Sequence, residues 1–207
     1  MFRVPGLTDG GVRTSEVSET VDIFPSLVDF AMGEDAYKAL PVCESMWDSS
    51  SVDTCVEGTS LRPLVAAPRT PVKRAAFSAY NRGYISEPPT GGAAASVLAV
   101  GVTSGSSPSD SPCLNRGSHK TGCTMGYTML TKLGGHELRY TEWVRFTGPG
   151  AGSDAQWQPD WGTNFGTELY NHTEDAWENH NVAAAASKSV RKELSDMLHA
   201  GWQGARL

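Results

Sequence analysis

The fold of this chain is decided by residues 124–146, which read TMGYTMLTKLGGHELRYTEWVRF. Side chains alternate in character in both halves of this stretch, and aromatic residues supply the bulk in the second half. Alternation with a period of two is typical of a β-strand, and the paired glycines Gly134 and Gly135 suit the tight turn of a hairpin. Residues 124–131 and 138–146 are therefore predicted to pair as antiparallel strands.

Further elements are predicted on both sides of this hairpin. Residues 75–80 and residues 168–170 are short stretches with strand-like composition, and residues 60–64 suit a short helical turn. Apolar residues recur at helical spacing from Val182 to Leu198, which predicts a helix that ends near Gly201. The expected fold class is α/β in the α+β sense, with a small antiparallel sheet packed on a C-terminal helix.

The N-terminal region carries a separate pattern. Residues 2–4 resemble the tail of a strand, and Pro5 and Gly6 mark a turn after it. From Ser15 onward, apolar residues recur at helical spacing and predict an amphipathic helix in which Pro25 either causes a kink or begins a second helical piece. The apolar positions of this helix are Val17, Val21, Phe24, Leu27, Val28 and Ala31.

Two stretches look irregular. Residues 33–60 contain many small polar residues and two cysteines. Residues 86–118 are dominated by Ser, Gly, Pro, Thr and Ala, a composition that buries too little apolar surface to offset the entropy of ordering the backbone. A mobile Ser/Gly-rich insertion is predicted there.

The four cysteines fall into two close pairs, Cys43 with Cys55 and Cys113 with Cys123. Their small, polar surroundings predict two local disulfides. Zinc binding is the alternative, but the gaps are wide for a zinc motif and no histidine pair adjoins them. Asn171 begins the N-glycosylation sequon Asn-His-Thr. Disulfides and a glycan at Asn171 together favour the oxidising secretory pathway.

Charge limits the partners. The formal net charge of −6 repels nucleic acid and anionic membranes at long range, so any site for a polyanion must be local. No run approaches the roughly 20 apolar residues that a membrane span needs. The first residues also lack the basic and then apolar pattern of a signal peptide. Lys73 and Arg74, an adjacent basic pair, are expected to be solvated.

The most enzyme-like stretch is residues 171–181, where His172 and His180 stand among three carboxylates. Their spacing fits neither a helical nor a hairpin-opposed pair, so a polar loop closed by Asn and Asp side chains is the better interpretation than a metal site. No serine-nucleophile elbow or phosphate-binding loop occurs, and the other histidines are isolated. Neither catalytic residues nor metal ligands are expected in this chain.

Several runs resemble, in the same order, the C-terminal region of sulfatases of the iduronate-2-sulfatase-like branch, within the alkaline-phosphatase-like superfamily. Residues 21–27 (VDIFPSL) are similar to the family's V-D-x-F-P-T-L, and residues 55–61 (CVEGTSL) to its C-x-E-G-x-S-L. The other similar runs are residues 2–6 (FRVPG), 77–82 (FSAYNR), 123–129 (CTMGYTM), 138–144 (LRYTEWV), 168–172 (ELYNH) and 178–181 (ENHN). The departures from the family pattern are Ser26, Ala79, Asn81, Leu130, Asn171 and Ala176.

The resemblance implies that residues 1–35 are a strand and a helix of the family's larger α/β domain, and that residues 36–207 form its smaller C-terminal subdomain. Sulfatases hydrolyse sulfate esters with a formylglycine, made from the cysteine of C-x-P-S/A-R, and a calcium ion. Both elements precede the matched segments in the family. The nearest run here, residues 113–116 (CLNR), has no proline and places its arginine one position early.

We therefore expect a chain that is inactive alone and whose partner is a missing N-terminal sulfatase domain carrying calcium and formylglycine. The resemblance also implies a sulfated glycan as substrate and a lysosomal or extracellular location. Two alternatives remain open: a secreted, non-catalytic glycan-binding or structural module, and an autonomous enzyme of unrecognised type.

Overall fold

A computed structural model of the chain describes residues 3–8, 11, 13–43, 55–84, 123–147 and 158–207. The insertion predicted at residues 86–118 lies outside these ranges, as does Cys113. After a 3-10 turn at Thr20–Asp22, the elements in chain order are α1 (Ile23–Met32), α2 (Glu34–Lys38), α3 (Arg62–Ala66), β1 (Ala75–Tyr84), β2 (Cys123–Leu133), β3 (His136–Thr147), β4 (Gln158–Asn171) and α4 (Lys188–Gly204).

The strands form one antiparallel sheet in the order β1-β2-β3-β4, which confirms the predicted sheet and its mixed α+β class. The hairpin of β2 and β3 turns at Gly134 and Gly135, as predicted. Their φ angles of 60° and 84° lie in the left-handed region, which a side chain with a Cβ rarely adopts, so glycine suits both positions. The turn sets the register in which Thr128 and Thr141 lie side by side, with their hydroxyl oxygens 2.8 Å apart.

The fourth strand is longer than its sequence indicates. We predict a strand at residues 168–170, whereas β4 spans Gln158–Asn171. Its first part contains two glycines and two exposed polar residues, Gln158 and Asn164, so it lacks the apolar alternation that a half-buried strand normally carries. Backbone pairing, which composition does not reveal, extends it.

The C-terminal helix is confirmed, but it begins later than predicted. Val182 belongs to a turn, where its carbonyl oxygen accepts the amide hydrogens of Ala185 and Ala186. Ser187 caps α4 by accepting the Val190 amide at 3.3 Å. Gly201 interrupts the helical backbone near its end with a φ of 59°. No helix in the described ranges is long and apolar enough to cross a lipid bilayer.

The N-terminal prediction needs two corrections. Arg3 and Val4 belong to no strand, because no described strand pairs with them, although the predicted turn is present with the Leu7 amide 3.0 Å from the Val4 carbonyl oxygen. The helix expected from Ser15 begins only at Ile23. The Glu19 amide donates to the Asp22 carboxylate at 2.7 Å, which holds an extended Glu19 just before the helical turns.

The chain divides into two compact units. The first contains residues 1–77, 129–140 and 169–207, and the second contains residues 78–128 and 141–168. In the first unit, Leu61, Leu64 and Val72 form one apolar cluster, and Met129, Leu194 and Leu198 are also buried. In the second unit, Val144 is fully buried. The boundary expected at residue 35 comes from the sulfatase resemblance and separates two domains of that family. The two compact units described here are defined by contacts within the chain and do not test that boundary.

Residues 205–206 close the first unit against two distant segments. The Arg74 amide donates to the Ala205 carbonyl oxygen at 2.7 Å, and Lys73 and Arg206 form an isolated antiparallel bridge. One guanidinium nitrogen of Arg206 lies 3.3 Å from the carbonyl oxygens of both Val56 and Glu57. Arg206, near the C-terminus, thus donates hydrogen bonds to the backbone of the segment that follows Cys55.

Candidate functional site

Helix α1 presents a polar face to the interior of its unit. Asp22, just before the helix, and Ser26 are completely buried, and Asp29 is almost so. These residues are spaced four and three apart, which places them on one face of a helix. The Ser26 hydroxyl donates to the Asp22 carbonyl oxygen at 2.5 Å and accepts the Leu61 amide at 2.8 Å. The sequence pattern highlighted the apolar stripe of this helix and missed its polar stripe.

Lys73 is the centre of the first ion-pair network on this polar face. Its Nζ lies 2.7 Å from Asp22 Oδ1 and 2.7 Å from Glu19 Oε2. Asp22 Oδ1 also accepts the Thr59 amide at 2.9 Å, and Glu19 Oε1 accepts the Phe77 amide at 2.7 Å. The prediction that Lys73 is a solvated surface residue is therefore wrong, because two carboxylates compensate its charge inside the unit.

A second network surrounds Asp29. Its carboxylate accepts the Ser60 hydroxyl at 2.5 Å and Arg62 Nε at 2.7 Å, and its backbone carbonyl oxygen accepts Arg62 Nη2 at 2.5 Å. Ser60 also bonds through its amide to the Tyr37 hydroxyl at 3.3 Å. Residues 21–27 and 55–61, two of the runs that carry the sulfatase resemblance, therefore lie against one another through Asp22, Ser26 and their partners.

The opposite face of α1 is apolar and exposed. Phe24 is 49% exposed and Leu27 is 55% exposed, and Val21 and Ile23 are also largely accessible. Val17, the first apolar position of the predicted helix, lies ahead of the helix and is buried. Helix α1 itself packs against α2 and α3.

A third polar cluster joins three more of the resembling runs. Arg139 on β3 makes a bidentate ion pair with Glu178, and its guanidinium carbon lies 5.0 Å from the ring centre of Tyr170. His172 Nε2 lies 2.7 Å from Glu178 Oε1, and its Nδ1 lies 3.6 Å from Glu137. Partial burial would raise the pKa of Glu178, but the hydrogen bonds from Arg139 and His172 hold this pKa below its ordinary value.

Residues 171–181 form the polar loop that was predicted. The Asp175 carboxylate accepts the His180 amide at 2.8 Å and the Asn179 side-chain amide at 3.1 Å, and these bonds hold the pKa of Asp175 below its usual range. Asn181 Oδ1 accepts the amides of Leu169 and Ala183, both at 3.0 Å. Asn and Asp side chains thus close the turns of this loop, as expected from the sequence.

Of the predicted disulfides, the one between Cys43 and Cys55 is confirmed. The backbone is paired beside it, because the Val56 amide donates to the Pro41 carbonyl oxygen at 2.8 Å. The pairing of Cys113 with Cys123 stays a prediction, since Cys113 lies outside the described residues. Asn171 stands at the end of β4, with its side-chain nitrogen 3.2 Å from His136 Nδ1, and its glycosylation also stays a prediction.

No group of three or more His, Cys, Asp or Glu side chains within the described ranges could hold a metal ion. No step of calcium or formylglycine chemistry is assigned to these ranges. No protein-family model matches the chain. No curated protein matches it either.

Proposed function

We propose that this chain is the C-terminal segment of an iduronate-2-sulfatase-like enzyme, with residues 1–35 as part of the large α/β domain and residues 36–207 as the C-terminal subdomain, and that it docks onto the rest of the catalytic α/β domain. In this proposal the catalytic domain supplies formylglycine and calcium, the substrate is a sulfated glycan, and the complete protein works in the lysosome or outside the cell. The role of the subdomain is to complete the fold around the catalytic part.

The observation that carries the proposal is the reversed amphipathicity of α1. A surface helix normally turns its apolar side inward and its polar side to water. Here Asp22, Ser26 and Asp29 face inward, whereas Phe24 and Leu27 face outward. Contiguous exposed apolar surface of this kind marks an interaction site, and a second layer of structure over α1 would cover it.

The mutual contacts of the resembling runs give further support. Asp22 and Thr59 join two of these runs, and Arg139 and Glu178 join two others. These contacts bring matched segments together, as the proposal requires. The charged and hydroxyl residues of the runs then have a structural role, namely to hold the subdomain in the shape that presents α1.

The first test of the proposal is to sequence the transcript upstream of this chain. The coding sequence upstream of this chain should contain a C-x-P-S/A-R motif and paired aspartates. A signal peptide that directly precedes the chain would instead favour the secreted module. The protein translated with that upstream part should release sulfate from an aryl sulfate, whereas this chain alone should not.

The docking face is tested in the same assay. Phe24→Ser combined with Leu27→Ser should lower sulfate release and the yield of active protein, because both side chains would lie at the domain contact. Leu7→Ser removes another exposed apolar side chain of the same unit and serves as the control. Equal effects of the double variant and of the Leu7 variant would contradict a specific contact through α1.

A further inference from the structure

The second unit carries an indole ring laid flat on its strands. Trp143 on β3 lies over Gly126 of β2, where an added Cβ would come within 2.6 Å of the ring. On the other side, a Cβ added to Gly166 of β4 would lie 4.0 Å from the ring, which is an ordinary van der Waals distance. The Trp143 Nε1 donates to Glu168 Oε1 at 3.0 Å, which fixes the orientation of the ring. Gly126 thus makes room for an indole held in one position.

Three more side chains belong to the same surface, namely Tyr80, Arg82 and Arg145. We call the four residues, including Trp143, the aromatic–arginine face. Tyr80 is 67% exposed, and its ring meets that of Trp143 edge to face at a centroid distance of 6.5 Å. The guanidinium of Arg82 lies 4.9 Å from the Trp143 ring centre. Arg145 follows Trp143 by two positions on β3 and therefore shares its side of the strand.

The two guanidiniums of this face differ from those of Arg62 and Arg139 in their partners. Arg62 and Arg139 each form an ion pair with a carboxylate. Arg82 and Arg145, by contrast, form no ion pair with any residue in the described ranges. The carboxylate of Glu168 stands nearby but accepts the Trp143 indole. The face therefore combines stacking surface with positive charge that no described carboxylate neutralises.

We propose that the aromatic–arginine face binds an anionic saccharide. The C–H side of a sugar ring would stack on Tyr80 and Trp143, while sulfate or carboxylate groups on the sugar would accept hydrogen bonds from Arg82 and Arg145. Arginine presents a planar fork of donors that matches such anions, and its stacking on Trp143 orients that fork.

Charge favours a saccharide over nucleic acid. Nucleic acid requires an extended track of cations, and the chain as a whole carries a formal charge of −6. A short acidic sugar needs only a few local contacts, which the four side chains of this face supply. The site lies within the second unit and does not depend on α1, so it can succeed or fail independently of the sulfatase proposal.

Isothermal titration with a heparin-derived hexasaccharide tests the site. The unmodified chain should bind the hexasaccharide and should bind its desulfated, N-acetylated counterpart more weakly. The double variant Arg82→Gln/Arg145→Gln should lose affinity by about tenfold or more, because charge-assisted hydrogen bonds are lost. Arg69→Gln removes an exposed arginine of the first unit and should bind normally.

Stacking is tested separately with Tyr80→Ala and Tyr80→Phe. The alanine variant should lose several-fold in affinity, and the phenylalanine variant should keep it. The double variant Arg82→Lys/Arg145→Lys keeps the charge and should bind with intermediate affinity. Circular dichroism of each variant verifies that the fold is retained, and Tyr80 is exposed enough for its replacement to spare the fold.

Several results would overturn the site. These are the absence of hexasaccharide binding, unchanged affinity in the glutamine double variant, and an equal loss in Arg69→Gln. Inorganic sulfate is titrated as a separate arm. If sulfate alone bound as tightly as the hexasaccharide, the face would be a simple anion site and the saccharide proposal would be wrong.

Discussion

Gly58 lies so close to Val21 that a Cβ on Gly58 would stand 2.2 Å from the Val21 carbonyl oxygen. This contact is made by backbone atoms, which cannot rotate away as a flexible side chain can. Gly58→Ala should therefore push apart residues 21–27 and 55–61 and destabilise the chain by about 1–3 kcal/mol or more. Urea unfolding measures the loss. Gly166→Ala places its Cβ at an ordinary contact distance and should cost little, so equal losses would contradict the argument.

Removal of the Lys73 charge should be strongly destabilising. Lys73→Met leaves the buried Asp22 carboxylate, and Glu19 beside it, without their cation, at a cost of about 3–5 kcal/mol. Lys38→Met breaks an exposed ion pair with Glu34 and should leave the unfolding midpoint unchanged. If the two variants unfolded at the same urea concentration, the buried network would contribute little to stability.

The disulfide between Cys43 and Cys55 should stabilise the chain by restricting its unfolded state. The cysteines are 12 positions apart. For a loop of this size, loop-closure entropy predicts a loss of about 3 kcal/mol in the double variant Cys43→Ser/Cys55→Ser. Peptide mapping without reduction should find these two cysteines linked, and free thiols at both positions would refute the pairing. The same map tests the predicted bond between Cys113 and Cys123.

The cluster around Glu178 should make stability depend on acid pH. Its pKa is lower in the folded chain than the ordinary value of 4.5, so the unfolded chain binds more protons when the pH falls below that value. The stabilisation is present above about pH 4.5 and is lost as the pH falls through the folded-state pKa. Glu178→Gln removes the titrating carboxylate, so its unfolding free energy should fall less steeply than that of the unmodified chain.

Thermal or urea unfolding between pH 6 and pH 3 measures this difference. Asp196→Asn removes the carboxylate of an exposed pair with Lys192 and controls for the loss of one negative charge. Parallel pH curves for the unmodified chain and for Glu178→Gln would mean that Arg139 and His172 do not stabilise the ionised carboxylate.

Local patterns predicted the parts of the fold that depend on near neighbours. The hairpin follows from alternation around Gly134 and Gly135, and α4 follows from apolar spacing. The start of α1 was not predicted, because a hydrogen bond between Glu19 and Asp22 sets it and the apolar spacing continues through that point. The long β4 was missed because its extension depends on pairing with another strand.

The polar sites illustrate a second limit. Lys73 was predicted to be solvated because it stands next to Arg74 in the sequence. The sequence around this basic pair does not show which distant carboxylates will lie beside Lys73 in the fold. Its partners Glu19 and Asp22 stand 54 and 51 positions away. A second stripe of Asp22, Ser26 and Asp29 at helical spacing was visible in the sequence, and it could have indicated a buried polar face. The arginines beside Trp143 could be placed on one face only once the strand bounds were known.

The hydrogen bond from Arg206 to the Val56 carbonyl oxygen joins residues that are 150 positions apart in the chain. During translation, the segment after Cys55 leaves the ribosome long before Arg206 is made, so it must wait without that contact. Contacts between such distant positions also slow folding, because a large loop must close before they form. The first unit is therefore expected to reach its final form late, after the last residues of the chain have been made.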